Sequence, residues 1–302
     1  MTKADKHRSG FVAIVGRPNV GKSTLLNALL GQKIAIVSDK PQTTRNRILG
    51  VLSTPQAQAI LVDTPGIHKP QHKLGKYMVD VSQRVLGESD IICHVVDATA
   101  DIGPGEHYII QQIKDIVAPV LLVINKCDLS NQQAATDLAA KYLALHEYDQ
   151  VIFISALAAK NLDVLLEAIT TRLPHGPEYY PPDMITDQPE RFVIAEMVRE
   201  QVFRVTREEI PHATAVVVDE VGERPGDLLF VRCFIYIERD SQKQIVIGAN
   251  GKLISEIGRA ARANIEAFLG RRIYLDLWVK VKKDWRDDPS SLRSLGYEQE
   301  RQ

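Results

Sequence analysis

One eight-residue segment has the spacing of a phosphate-binding loop: Gly16-Arg17-Pro18-Asn19-Val20-Gly21-Lys22-Ser23. It follows an apolar, strand-like run at 11–15 and precedes a helix-like stretch at 23–30. The glycines let the backbone curl so that successive N–H groups point at phosphate oxygens, and the helix N-terminus adds its dipole. The Lys22 ammonium would reach the β- and γ-phosphates, and the Ser23 hydroxyl would ligate Mg²⁺. The segment therefore predicts a nucleoside triphosphate site without indicating the base.

A second polar group indicates the base: Asn125-Lys126-Cys127-Asp128 follows the strand-like run 119–124. In doubly wound sheets, ligands bind at the carboxyl ends of the strands. Asp128 can accept from the guanine N1–H and N2–H₂ groups, the Asn125 amide can pair with neighbouring edges, and the Lys126 stem can lie across the ring. Such sites can reject a wrong ligand by about 10⁴-fold. Farther on, Ser155-Ala156 ends the run 151–154 and can give a backbone N–H to guanine O6. These residues favour a guanine nucleotide.

Two further segments could serve the metal ion and the γ-phosphate. Asp63-Thr64-Pro65-Gly66 ends the run 59–62, which places a carboxylate near Mg²⁺ and the Gly66 N–H near the γ-phosphate. A segment held in this way would order with the triphosphate and relax after hydrolysis. The polar loop Gln42-Thr43-Thr44-Arg45 can place a threonine hydroxyl on the same ion, and we favour Thr44.

These residues need a sheet to bring them together. Up to residue 173, strand-like runs alternate with helix-length segments, which predicts an α/β domain with a doubly wound, mostly parallel sheet. Prolines then crowd residues 174–190, which we interpret as a linker. Beyond it the predicted order is helix 192–208, strands 213–221 and 228–238, a helical segment broken at 248–251, and strand 272–281. This α-β-β-α-α-β order indicates a smaller α+β domain.

Composition limits the remaining possibilities. The 302 residues are 45% hydrophobic and 25% charged, with 37 basic and 38 acidic side chains, as in a globular chain of one large or two medium domains. Three separated cysteines suggest neither a disulfide framework nor a zinc site. No apolar run reaches the about 20 residues of a membrane-spanning helix. We predict a cytoplasmic protein. Its predicted layout is a flexible tail at 1–10, domains at 11–173 and 191–283 joined by the proline-rich linker 174–190, and a tail at 284–302.

The second domain contains a local basic excess and a G-x-x-G turn. Residues 245–286 hold 9 basic and 4 acidic side chains, a net charge of +5. Two glycines let a nucleic-acid backbone approach closely, beside a groove for about four nucleotides. The candidate RNA contacts are Ile247, Gly248, Ala249, Asn250, Gly251 and Lys252, with Lys280, Lys282 and Lys283 extending the basic surface. Ile254 and Ile257 are expected to line the groove with Ile247.

Taken together, the motifs resemble the Era branch of the translation-factor-like GTPases over the whole chain, and the second domain resembles a type II KH domain. The resemblance implies a P-loop GTPase with GTP and GDP as ligands and Lys22, Thr44, Gly66 and Asn19 in catalysis. It places Mg²⁺ on Ser23, Thr44 and Asp63. It implies nucleotide contacts from Gly16, Arg17, Pro18, Asn19, Val20, Gly21, Lys22, Ser23, Thr24, Asp63, Thr64, Pro65, Gly66, Asn125, Lys126, Asp128, Ser155 and Ala156.

One position departs from the Ras pattern, in which a glutamine after the glycine orients water. Here the residue is Ile67, so intrinsic turnover should be slow. In related GTPases with an apolar residue at this point, an asparagine at the Asn19 position helps to hold a potassium ion that acts like an arginine finger. The resemblance therefore implies K⁺ beside Asn19 as a hypothesis.

The resemblance also implies partners. It predicts a monomer that binds 16S ribosomal RNA near its 3′ end and assists assembly of the 30S subunit and maturation of its RNA. It further implies peripheral association with the inner face of the cell membrane, for which the residues themselves give no indication.

Two alternatives remain open from the sequence. One is a P-loop ATPase or kinase with an accessory nucleic-acid-binding domain, which competition between ATP and GTP would reveal. The other is a constitutive RNA-binding module with GTP as a structural ligand, which equal RNA affinity in GTP and GDP would favour.

Overall fold

A computed structural model describes residues 7–40, 43–66 and 72–297. They form two compact units. The first comprises residues 7–35, 44–66 and 78–187, and the second comprises 36–40, 43, 72–77 and 188–297. The second unit thus includes two short segments from the range expected to form the first domain. No change of composition marks these segments, because their grouping follows from long-range contacts.

The first unit is built on a six-stranded sheet with the order β2-β3-β1-β4-β5-β6. The strands are β1 Arg8–Val15, β2 Ile48–Ser53, β3 Ala57–Asp63, β4 Ile91–Asp97, β5 Val120–Asn125 and β6 Gln150–Phe153. All pairs are parallel except β2 with β3. The helices of this part of the chain are α1 Lys22–Leu30, α2 Lys73–Glu88, α3 Pro104–Ile113, α4 Gln132–Leu143 and α5 Leu162–Thr170. The predicted α/β class is confirmed, and β2 is a strand that the sequence reading missed.

Burial and register explain why this sheet can carry a site at one edge. Every residue of β3 and β5 is buried, as expected for strands covered by helices on both faces. Asp63 pairs in register with Ile14 of β1, and Asp97 of β4 pairs with Asn125 of β5. The polar residues that end these strands therefore lie at the same carboxyl edge.

Two boundaries of this unit differ from the expectation. Residues 8–10 belong to β1 rather than to a tail, because their backbone pairs with Ala57, Gln58 and Ala59 of β3. Such a polar strand end gives no hydrophobic signal. The proline-rich segment is irregular, as its prolines predict, yet its residues bond to the first unit: Gln58 Nε2 donates to Tyr180 O (2.8 Å) and Thr186 Oγ1 donates to Leu49 O (2.6 Å).

The second unit has the predicted α-β-β-α-α-β order with additional short helices. Its elements are α6 Glu190–Val205, α7 Ile210–Ala213, β7 Ala215–Arg224, β8 Leu228–Ile237, α8 Asp240–Ile247, α9 Lys252–Leu269, β9 Ile273–Val281 and α10 Pro289–Ser294. Strand β8 is central, antiparallel to β7 and parallel to β9. Helix α9 packs its buried residues Ile257, Ala261 and Ile265 into the core of this unit. The fold is the α+β arrangement expected of a KH domain.

The segment after residue 283 is packed, at least to residue 297, instead of forming a tail. Trp285 is fully buried, donates its indole N–H to Ala213 O (2.8 Å) and stacks on Tyr297. The Asp288 side chain caps α10 by accepting from the backbone N–H groups of Ser290 and Ser291. Charged residues surround these few anchors in the sequence, which hides them. Across the described residues, no helix is long and apolar enough to cross a membrane.

Candidate functional site

The phosphate loop joins β1 to α1 and curls around one lysine. Lys22 Nζ donates to Gly16 O (3.0 Å) and Arg17 O (2.9 Å). Gly21 has a φ of 99°, and a Cβ there would lie 2.3 Å from Asn125 Nδ2, so only glycine fits. Burial lowers the pKa of Lys22 to about 8, while the Asp63 and Glu106 carboxylates oppose this shift. A bound polyanion would restore the charged form.

Three oxygen-bearing side chains meet beside this lysine. Ser23 Oγ donates to Asp63 Oδ2 (2.6 Å) and lies 2.9 Å from Thr44 Oγ1, which is 3.2 Å from the same carboxylate oxygen. Asp63 is fully buried, and its Oδ1 has no hydrogen-bond partner. Burial raises the pKa of Asp63 despite the opposing Lys22 charge and the bonds from Ser23 and Thr44. A buried carboxylate with an unused oxygen beside two hydroxyl groups fits the hard oxygen sites that Mg²⁺ prefers.

The residues after Asp63 are held by the surrounding backbone. Thr64 Oγ1 donates to Ile14 O (2.9 Å), and Pro65 O accepts from Ser82 Oγ (3.0 Å). Gly66 lies against the phosphate loop, where an added Cβ would approach the backbone N of Pro18 to 2.8 Å. Ile67 and Gln42, to which the sequence reading also referred, lie outside the described residues.

The structure gives Asn125 a different task from the one expected. Its side chain is 2% exposed; Nδ2 donates to Val20 O (2.8 Å) and Oδ1 accepts from Ala156 N (2.9 Å). The amide therefore ties the phosphate loop to the loop after β6. The Ser155 N–H bonds to Lys160 O (3.2 Å), so both backbone donors predicted for guanine O6 have partners in the protein.

Lys126 and Asp128 follow the last residue of β5, at the carboxyl edge of the sheet. Lys126 has a left-handed backbone, and its Nζ donates to Asn19 O (2.8 Å) and Asp97 Oδ2 (2.6 Å). Burial opposes ionisation of Asp97, but hydrogen bonds from Lys126 and Thr99 outweigh it and lower the pKa of Asp97. Asp128 lies in a short 3-10 helix, Cys127–Leu129, and is exposed.

The remaining predicted residues of the loop differ in accessibility. Asn19 is exposed at a φ of 67°, whereas Val20 is buried. Thr24 is half-buried in the first turn of α1. Arg17 is half-buried and directs its guanidinium to Glu106 on α3 (2.5 Å).

In the second unit, the G-x-x-G turn connects α8 to α9. Gly248 ends α8 with a φ of 73°, and a Cβ there would lie 2.7 Å from Leu253 Cβ. Asn250, at a φ of 52°, is exposed at the turn with Ala249, and Lys252 begins α9 with its side chain exposed. Ile247 is half-buried and packs on the core of the unit. The turn thus presents backbone and small side chains to solvent.

A groove of about 380 Å³ runs between α9 and β9. Its lining residues are Ile254, Ser255, Gly258, Arg259, Arg262, Tyr274, Leu275 and Leu277. Ile254 lines the groove as predicted, but Ile257 is fully buried because it belongs, with Ala261 and Ile265, to the row of α9 residues that packs into the core. The sequence reading missed Arg259 and Arg262, although their spacing of three residues places both on one face of a helix.

The three predicted lysines, Lys280, Lys282 and Lys283, are not among the residues that line the groove. Lys280 Nζ lies 3.1 Å from the centroid of the Phe234 ring, which is a cation–π contact on the sheet. Lys282 follows the end of β9 and donates its N–H to Ile237 O (2.8 Å), and Lys283 is exposed beyond it. Trp285, which the sequence places beside them, is in the core.

Comparison with known proteins agrees with both units. A family described as "50S ribosome-binding GTPase" matches residues 11–126, and one described as "KH domain" matches residues 209–286. The chain is 53% identical over 295 residues to GTPase Era of Heliobacterium modesticaldum, which covers 98% of this chain and 99% of that protein.

Solved structures give the same relationship over both units. An Era variant of Aquifex aeolicus bound to GDP and AlF4⁻ has a TM-score of 0.93 and 44% identity, covering 96% of this chain and 99% of that one. Era in complex with MgGDPNP and nucleotides 1506–1542 of 16S ribosomal RNA has a TM-score of 0.93 and 43% identity over the same shares.

Proposed function

We propose, because this chain belongs to the GTPase Era family, that it is a GTPase switch. Its nucleotide state controls binding of 16S ribosomal RNA near the 3′ end of that RNA. In this role it assists assembly of the 30S subunit and maturation of its RNA. The observation that carries the nucleotide half is the convergence of Ser23 and Thr44 on Asp63 beside Lys22. The solved relative with MgGDPNP and 16S RNA supports the RNA half.

In the proposed nucleotide site, Ser23, Thr44 and Asp63 hold Mg²⁺, which neutralises charge on the β- and γ-phosphates when bound. The backbone N–H groups of residues 16–24 other than Pro18, together with the Lys22 ammonium, bind the phosphates. Asp128 accepts from the guanine ring, and the Lys126 stem covers its face. Asn125 holds the two loops that receive the base, through its bonds to Val20 and Ala156.

Hydrolysis forms a bond between a water oxygen and the γ-phosphorus and breaks the bond to the β–γ bridging oxygen, giving GDP and phosphate. Lys22 and the Gly66 N–H would stabilise charge on the transferring group. Arg17 is engaged by Glu106 and Arg45 is 1% exposed, so neither supplies a finger in this unit. Slow intrinsic turnover follows from this arrangement.

Potassium beside Asn19 would supply the missing positive charge. Asn19 is exposed in the phosphate loop, which is where a further cation could reach the phosphates. Turnover should therefore be faster in K⁺ than in Na⁺, and Asn19→Ala should remove that difference. Equal rates in both salts for both proteins would eliminate the potassium hypothesis.

The proposed RNA site consists of the turn at 248–251 and the groove between α9 and β9. Arg259 and Arg262 in the groove can neutralise phosphates, and the apolar Ile254 and Leu277 can pack against bases. Ile247, Gly248, Ala249, Asn250, Gly251 and Lys252 would contact the RNA backbone. Lys280, Lys282 and Lys283 remain candidates for contacts beyond the groove.

A segment of the second unit offers a route from nucleotide to RNA. Within this unit Arg199 of α6 donates to Thr43 O, and Lys40 Nζ donates to the carbonyls of Phe203 and Thr206 at the end of α6. The next residue after Thr43 is Thr44, the proposed Mg²⁺ ligand. If Thr44 holds Mg²⁺, its engagement would act on the segment that Arg199 and Lys40 contact, and a ligand shifts an equilibrium only through such differential contacts.

The remaining parts of the proposal concern the setting. We place the protein in the cytoplasm as a monomer bound to the 30S subunit, with peripheral association at the inner face of the cell membrane. Sedimentation of the free protein, of a mixture with 30S subunits, and of a mixture with anionic lipid vesicles tests each point separately. Absence from the subunit or vesicle fraction would remove that partner.

A titration of labelled RNA with the small-subunit 3′ sequence tests the switch, with a non-hydrolysable GTP analogue and with GDP, against scrambled RNA. Tighter, sequence-dependent binding with the analogue supports the proposal. Arg259→Ala should weaken binding, whereas Arg293→Ala, at an exposed arginine of α10 outside the groove, is the matched control. Equal affinity in both nucleotides would leave RNA binding constitutive.

A further inference from the structure

A buried acid contacts the phosphate loop from α3 and is not among the residues proposed to bind nucleotide or metal. Glu106, in the first turn of α3, is fully buried, and both of its oxygens are used. Oε1 accepts from Arg17 Nε (2.5 Å), and Oε2 lies 3.2 Å from His94 Nε2. Burial opposes ionisation, but the contacts with His94 and Arg17 outweigh it and lower the pKa of Glu106. A buried charge of this kind is stable only when it is paired and hydrogen-bonded.

Other elements hold Glu106 in place from the far side. His94 of β4 is fully buried, and its Nδ1 lies 2.9 Å from the hydroxyl of Tyr148. Because ionised Glu106 only accepts, His94 Nε2 is the donor to it. The Tyr142 ring packs edge-on against His94, with centroids 5.8 Å apart. The carboxylate therefore has a fixed position relative to β4.

From Glu106 the contacts lead directly to the catalytic lysine. The guanidinium of Arg17 is held by Glu106, and the carbonyl of Arg17 accepts from Lys22 Nζ at 2.9 Å. One acid thus holds the side chain of Arg17, whose backbone orients Lys22.

We infer that Glu106 is a positioning residue for hydrolysis, which acts through Arg17 to hold the phosphate loop and Lys22 ready for the triphosphate. This inference rests on the proposed assignment of Lys22 to the phosphates. A role confined to packing would make Glu106 important for folding, with nucleotide affinity unchanged in the folded protein. A positioning role makes its effect depend on Arg17.

The test compares Glu106→Gln, Arg17→Gln and the double variant for affinity to a fluorescent GDPNP analogue. Each single change should raise Kd about tenfold, as expected for loss of a hydrogen bond to a charged group. The double variant should bind no more weakly than either single variant. An effect of Glu106→Gln that persists undiminished with Arg17→Gln, or an unchanged Kd in Glu106→Gln, would overturn the inference.

Two further proteins make the outcome specific. Glu238→Gln is the matched control, because Glu238 forms a comparable buried pair with Arg286 (2.6 and 3.0 Å) in the second unit and should leave Kd unchanged. Should Glu106→Gln not fold, Arg17→Gln alone decides, since the Arg17 side chain is 28% exposed and its loss should be tolerated. An unchanged Kd for the GDPNP analogue in Arg17→Gln overturns the inference. If Lys22→Ala instead binds the analogue as tightly as wild type, the proposed phosphate site is wrong.

Discussion

Replacing Asn125 with alanine should weaken nucleotide binding without changing the preferred base. The change removes two buried hydrogen bonds, to Val20 O and from Ala156 N. Each joins neutral groups and contributes about 1 to 1.5 kcal/mol, so their joint loss costs about 2 to 3 kcal/mol. Because both bonds hold loops that receive the nucleotide, Kd for GDP should rise about 30- to 150-fold.

Fluorescence titration with labelled GDP and with labelled xanthosine diphosphate measures both affinities, and thermal unfolding without nucleotide measures the stability of the loops themselves. Asn131→Ala is a matched control, because that exposed asparagine caps α4 by accepting from Ala134 N and is not among the residues proposed to bind nucleotide. It should cost about 1 kcal/mol of stability and leave affinity unchanged. The reasoning is refuted if Asn125→Ala unfolds at the wild-type temperature and loses only its preference for guanine.

Three other changes address separate parts of the molecule. Asp128→Asn should shift preference from guanine towards xanthine nucleotides, because the ring must then meet a donor-capable amide; retained guanine preference in a competition titration would remove Asp128 from the base site. Raising the pH from 7 to 9 should weaken GDPNP binding by roughly an order of magnitude, because the pKa of Lys22 is about 8 without nucleotide and binding above it requires proton uptake. A flat profile would contradict this. Asn250→Asp, which adds a negative charge at a left-handed position that aspartate tolerates, should weaken RNA binding about tenfold and leave GTP affinity unchanged, measured by parallel titrations.

The parts of the fold that could be predicted are those in which a residue type is demanded locally. Gly21 and Gly248 each have a positive φ and a neighbouring atom too close for a Cβ, so no other residue fits. The glycines of the two motifs therefore indicate the turns directly. Buried strands such as β5 are continuously apolar because helices cover both faces. The roles of Lys22 and Asp63 could be predicted for the same reason, because phosphate binding calls for a cation and Mg²⁺ binding for a carboxylate.

The parts that could not be predicted depend on pairing across long stretches of chain. Glu106 meets Arg17 from 89 residues away, and nothing in either local pattern announces the other. An asparagine at position 125 predicted a polar contact, but only the fold shows that its amide hydrogen-bonds to two loops of the protein. Trp285 was assigned to a C-terminal tail because its partner, Ala213, lies 72 residues earlier in the chain.

The position of β1 has a consequence for synthesis of the chain. This first strand lies in the interior of the sheet, and both of its neighbours, β3 and β4, are made later. Until residue 97 has left the ribosome, β1 lacks one partner, and its unpaired backbone N–H and C=O groups and apolar side chains favour aggregation. The hydrogen bond from Ala156 N to Asn125 Oδ1 forms later still, so we expect that free nucleotide does not stabilise a shorter nascent chain. Pulse-labelled translation intermediates should therefore become protease-resistant with GTP only after the loop beyond β6 has emerged.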